Sequence, residues 1–306
     1  MTAAVTTRRD FLALGSLTCL GALGPRLVAA QESLPARAIP GTTESLPVIG
    51  LGSSKVVSEI AEHGTAPLAA VLRTLVAHGG RVVDTWPRDS ANDAGFGEVI
   101  NLPDLRDALF VTTKIDRPGR DAGIAQFEAT LAHYGRERVD LAQIFSLTDL
   151  DTHWPSLKDW QSDGRARYIG VTVAEERLYE ELERFLGHEQ PDFIQVNYSI
   201  TERLAEERIL PLARDKGIAV LINRPFMNGT YFDRLEGEQL PEWTREFDCE
   251  SWAQFSLKYI LANEALTCVL TETTNPTHMA ENARAAIGRM PHEAERARMR
   301  ELIERL

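Results

Sequence analysis

The sequence predicts a (β/α)8 TIM barrel of the α/β class, built as a single domain. Eight short apolar runs alternate with segments whose apolar residues recur at three- and four-residue spacing, the pattern of strands followed by amphipathic helices. Strands alternating with helices imply βαβ units and a parallel sheet, and eight such units suggest a closed barrel. No Gly-x-Gly-x-x-Gly follows the first strand, which counts against a doubly wound dinucleotide fold. The chain has 306 residues, and barrels of roughly 250 residues form one domain that needs no disulfide or metal staple.

The expected strands are 48–50, 81–85, 109–114, 141–145, 168–171, 193–197, 219–223 and 267–270. Helical segments between them include 68–78, 124–134, 175–186, 204–215 and 252–262. Gly79-Gly80 and Lys216-Gly217 stand where helices should stop. Residues 292–305 read as an extra, highly charged C-terminal helix, so the barrel spans 46–306. Residues 31–45 read as a loose mature N-terminus.

The first 30 residues follow another logic. Arg8-Arg9 precede Phe11-Leu12, an apolar run reaches about Leu23, and small residues Val28-Ala29-Ala30 close the segment. The run is shorter than the ~20 residues of a membrane span. A positive start, a short apolar middle and a small-residue end define a cleaved export signal. The arginine pair resembles a twin-arginine (Tat) signal, which implies passage of the folded protein through the Tat translocase to a periplasmic or other extracytoplasmic location.

Loss of that segment removes Arg8, Arg9, Arg26 and Asp10, leaving 30 basic and 44 acidic side chains, a net charge of −14. Such a surface repels phosphate backbones, so nucleic acid is not an expected partner. Cys249 and Cys268 remain; they are expected at opposite ends of the last helix–strand unit, as buried free thiols. The histidines show no metal-ligand spacing and are expected to be solvated. Trp154 and Trp160 are expected to pack within a helix.

Active sites of such barrels lie at the C-terminal strand ends. The second strand closes on Asp84-Thr85 and the third on Lys114, an acid and a base on neighbouring strand ends. The pair suits either a structural salt bridge or a catalytic role.

These residues belong to a longer pattern. Asp84-Thr85 is followed by Asn92-Asp93, Phe96-Gly97 and Ile100. Further on come Val111-Thr112-Thr113-Lys114, Val139-Asp140-Leu141-Ala142-Gln143-Ile144, Tyr168-Ile169-Gly170-Val171-Thr172, Gln195-Val196-Asn197-Tyr198, Asn223-Arg224-Pro225-Phe226, Asn275-Pro276 and Glu281-Asn282. In this order the segments resemble the aldo-keto reductases over about residues 37–290. The resemblance implies hydride transfer from NAD(P)H to a small-molecule carbonyl. It implies a tyrosine that donates the proton, a lysine that tunes it, an aspartate that holds the lysine and a histidine that orients the substrate.

Asp84 and Lys114 stand at the family's Asp and Lys positions, but Asp89 occupies the Tyr position and Phe145 the His position. A tyrosine keeps its proton to about pH 10 and an aspartate only to about 4. An ionised Asp89 would repel a developing oxyanion by roughly 4 kcal/mol at 4 Å with an effective dielectric near 20. Lys114 could donate instead, or burial could keep Asp89 protonated. Phe145 cannot hydrogen-bond and makes the pocket more apolar. Trp86 closes the Asp84 strand and either lines the pocket or only packs.

The resemblance also implies a cofactor set. Thr172 and Gln195 take the carboxamide, while Val173 replaces the usual Asn. Asn223 stands where an aromatic stacks on the nicotinamide, with Arg224 beside it and Phe226 as a nearby substitute. Glu281 and Asn282 suit the adenine end. Glu272 and His278 stand where many members carry Lys and Arg, which favours NADH over NADPH, since a carboxylate tolerates a ribose hydroxyl better than a 2′-phosphate. Two functions follow: a carbonyl reductase with an altered proton donor, or a catalytically impaired barrel that binds a nucleotide or other apolar ligand without turnover.

Overall fold

The structure, a computed structural model, describes residues 33–52, 54–85 and 90–306. The export segment, Trp86 and Asp89 lie outside the described residues. Eight parallel strands close the barrel in chain order: β3 (Ile49–Gly52), β4 (Val82–Asp84), β5 (Phe110–Ile115), β6 (Val139–Ile144), β7 (Ala166–Thr172), β8 (Phe193–Asn197), β9 (Ala219–Asn223) and β10 (Cys268–Thr271), which pairs back onto β3. Each expected strand occurs, with ends within two residues of those read from the sequence.

Side chains alternate across each strand. One set fills the lumen, including Val82, Phe110, Leu141, Phe193, Leu221 and Leu270. The other packs under the surrounding helices. The segment expected to be loose is instead an antiparallel hairpin, β1 (Ala36–Ala38) with β2 (Ser45–Pro47). Its apolar residues Ile39 and Leu46 pack with the lumen set. Arg37 donates to the carbonyls of Leu261, Asn263 and Leu266 at 2.6–2.8 Å, and Glu44 meets Arg167 and Tyr168. Two buried apolar residues in a run of Pro, Gly, Thr and Ser give too weak a period-2 signal to be read as strands.

The helix expected over 204–215 is broken at Arg208 into Leu204–Glu207 and Ile209–Lys216. It stops at Gly217, whose φ of 65° is left-handed and favours glycine. The C-terminal helix, Glu293–Arg305, begins in a capping box of His292 with Glu295. Arg296 pins it down, stacked 4.4 Å from the Tyr259 ring and bonded to Glu206 at 2.5 Å. Cys249 and Cys268 are both buried free thiols. Trp160 stacks 3.9 Å from Phe127, and Trp154 meets Phe185 edge-on. His153 is not solvated: it is wholly buried, with Nε2 2.8 Å from the Arg117 carbonyl.

Candidate active site

The register of the sheet brings the site together. β3 pairs Gly52 with Asp84, β7 pairs Thr172 with Gln195, and β8 pairs Asn197 with Asn223. All of these residues but Asn197, with the loops that follow the strands, line a cleft of about 570 Å³.

Asp84 and Lys114 form a buried ion pair. Lys114 Nζ donates to both carboxylate oxygens at 2.6 Å and approaches the Thr85 carbonyl at 3.3 Å. The residues are 5% and 3% exposed, so each charge depends on the other. Thr112, two residues before Lys114 on β5, donates its hydroxyl to Asp84 Oδ1 at 2.5 Å. Gln195 Nε2 donates to Asp84 Oδ2 at 3.2 Å.

Phe145 follows β6 directly and lines the same cleft. The backbone beyond it is unusual: Ser146 and Leu147 have φ of 50° and 57°, a region non-glycine residues seldom adopt. The Ser146 amide donates to Thr172 Oγ1 at 3.2 Å, tying this turn to the end of β7.

The opposite wall comes from the segment after β9. Asn223 Nδ2 donates to the Val173 carbonyl at 3.1 Å. Arg224, at φ 54°, reaches the Ala174 carbonyl and Glu202. Phe226 and Phe232 have ring centroids 5.0 Å apart, and Phe232 is 40% exposed. Two buried acceptors in the cleft walls, Gln195 Oε1 and Asn223 Oδ1, have no hydrogen-bond partner among the described residues.

Of the residues singled out from sequence, Asp84, Lys114, Phe145, Thr172, Gln195, Asn223, Arg224, Phe226 and Glu272 line the cleft. His278, Glu281 and Asn282 lie on the helix Pro276–Arg284 beyond β10, with Asn282 buried and His278 exposed. Sequence reasoning missed Gly52, Ala174, Asn228, Gly229, Phe232 and Leu270 as cleft residues. The Asn228-Gly229 pair is a turn signal just past a strand end and could have pointed to this wall.

The profile of the Aldo/keto reductase family matches residues 48–303. A curated relative, the NADH-specific methylglyoxal reductase of Escherichia coli (strain K12), is 26% identical over 51% of this chain. The match spans 58% of that relative's length. Among solved structures, the chain superposes on the holo aldo-keto reductase AKR11C1 from Bacillus halodurans with a TM-score of 0.70. Identity there is 18%, over 88% of this chain and 96% of that one. An aldo-keto reductase from Klebsiella pneumoniae in complex with NADPH superposes with a TM-score of 0.71 at 19% identity, over 89% and 95% of the two chains. Likeness at this level of identity establishes the shared fold.

Proposed function

This chain belongs to the Aldo/keto reductase family, and from that premise we propose that it reduces a carbonyl compound with a reduced nicotinamide dinucleotide, with Lys114 rather than a tyrosine serving the carbonyl oxygen. The observation that carries the reading is the buried Asp84–Lys114 pair among the strand ends that line the cleft.

The residues present fit a nicotinamide. Its carboxamide offers N–H donors, and Gln195 Oε1 and Asn223 Oδ1 are buried acceptors in need of them. Phe226 adds an apolar ring to the same wall. When bound, the cofactor supplies a hydride. Lys114 turns the N–H now 3.3 Å from the Thr85 carbonyl toward the substrate's carbonyl oxygen as negative charge develops there, and Asp84 fixes the ammonium in place. Phe145 removes a hydrogen-bonding group from the pocket and favours apolar carbonyl compounds. Glu272 at the cleft margin disfavours a 2′-phosphate, so NADH is the preferred form, with His278, Glu281 and Asn282 toward the adenosine end.

Phe145 also favours a second reading, a barrel that binds nucleotide or an apolar ligand without turnover. The discriminating experiment is NADH oxidation with 4-nitrobenzaldehyde and recovery of the alcohol. Alcohol formed in step with NADH consumed supports the reductase. Binding of NADH without alcohol supports the second reading instead.

Export through the Tat translocase to the periplasm is part of the proposal, resting on Arg8-Arg9 before Phe11-Leu12. Replacing both arginines with lysine should hold the precursor in the cytoplasm. Unchanged periplasmic levels would refute the route.

A further inference from the structure

We propose that Gln195 couples the nucleotide site to the Asp84–Lys114 pair, with Thr112 as a positioning residue for the shared carboxylate. The inference rests on reading the cleft as a nicotinamide site. Three donors from two strands converge on Asp84: Thr112 and Lys114 from β5 are joined by Gln195 from β8, and the carboxylate itself closes β4.

An amide has a donor at one end and an acceptor at the other, while a carboxylate only accepts. Asp84 therefore dictates which way the Gln195 amide turns: Nε2 faces Oδ2 at 3.2 Å, and Oε1 is left as the acceptor on the other side. That Oε1 is buried and has no hydrogen-bond partner among the described residues. Burying an unpaired acceptor is costly, and a carboxamide N–H would satisfy it.

Thr112 sets the other oxygen. It is wholly buried, and its hydroxyl holds Oδ1 at 2.5 Å while Lys114 spans both oxygens at 2.6 Å. The carboxylate plane is thus fixed from two sides, and Gln195 is ordered by Oδ2, which it shares with Lys114. Charge at residue 84 does two jobs. It holds the lysine that serves the carbonyl, and it orients the amide that recognises the cofactor.

The test compares NADH with ADP-ribose, which lacks the nicotinamide, by titration calorimetry on the full-length folded protein. The variants are Thr112→Val, which keeps shape and both charges, and Asp84→Asn with Lys114→Met, which removes the pair together. NADH affinity should fall about fivefold in the double variant, the worth of one lost neutral hydrogen bond. It should fall about twofold in Thr112→Val. ADP-ribose affinity should stay within experimental error of wild type in both. If NADH binding is unchanged, or NADH and ADP-ribose weaken in parallel, the coupling is overturned while the nicotinamide reading stands. If wild-type protein binds neither nucleotide, both are overturned. Thr112→Val decides the matter should the double variant fail to fold.

Discussion

Lys114 Nζ stands 2.6 Å from each oxygen of Asp84, and both side chains are almost wholly shielded from water. Removing one partner of such a pair strands the other charge, which typically costs about 3–5 kcal/mol, whereas removing both is often near neutral. Lys114→Met should therefore lower unfolding stability by roughly that amount. Adding Asp84→Asn should recover most of it. Urea denaturation of the single and double variants checks this; a single variant as stable as wild type would show that the pair is not structurally coupled.

Gly97 is needed for close helix packing. A Cβ there would lie 2.1 Å from the His133 carbonyl oxygen, across the contact between helices Ser90–Ile100 and Arg120–Tyr134. Gly97→Ala should destabilise by about 2–3 kcal/mol through overpacking, with no selective change in nucleotide affinity. Thermal denaturation and calorimetry separate the two effects.

The C-terminal helix should loosen in acid. Hydrogen bonding to Arg289, followed by the His292 amide and the Arg289 charge, holds the Glu295 carboxyl at about 2, below the ~4.3 of an ordinary glutamate. Its folded pKa is depressed, so its contribution to stability is complete above about pH 4.3 and fades as pH falls toward 2. Loss of hydrogen-exchange protection in Glu293–Arg305 should rise across that window in wild type. The rise should be much smaller in Glu295→Gln, which is already weakened at neutral pH.

In the reading proposed above, Asp89 stands at the position of the family's proton donor. Native turnover is therefore expected to be slow, and Asp89→Tyr should raise it. A positioned general acid contributes about 10²–10⁴-fold. Phe145→His added to Asp89→Tyr should raise it further. If Asp89→Asn instead lowers a robust native rate, Asp89 is itself the acid.

Much of the barrel was legible because each strand is a short apolar run bounded by helix signals, as at Ala219–Asn223 before Asn223-Arg224-Pro225. The paired Asp84 and Lys114 were legible because strand ends point chemistry at one rim. The N-terminal hairpin was not, because Ile39 and Leu46 are isolated in a turn-rich segment. The burial of His153 was hidden too: Gly123 leaves room for its ring, across a contact that no local pattern records. Phe232 escaped notice because it sits on a short helix after the β9 turn, where only the folded loop shows that it reaches the cleft.

The most direct measurement is transfer of deuterium from NADH carrying deuterium at both C4 positions to the carbonyl carbon of 4-nitrobenzaldehyde, read by mass spectrometry of the alcohol. Wild-type protein should yield alcohol carrying one deuterium per NADH oxidised. The Asp84→Asn, Lys114→Met protein should yield none above the uncatalysed background. Label-free alcohol from wild type, or equal labelling by the double variant, would contradict hydride transfer at this site.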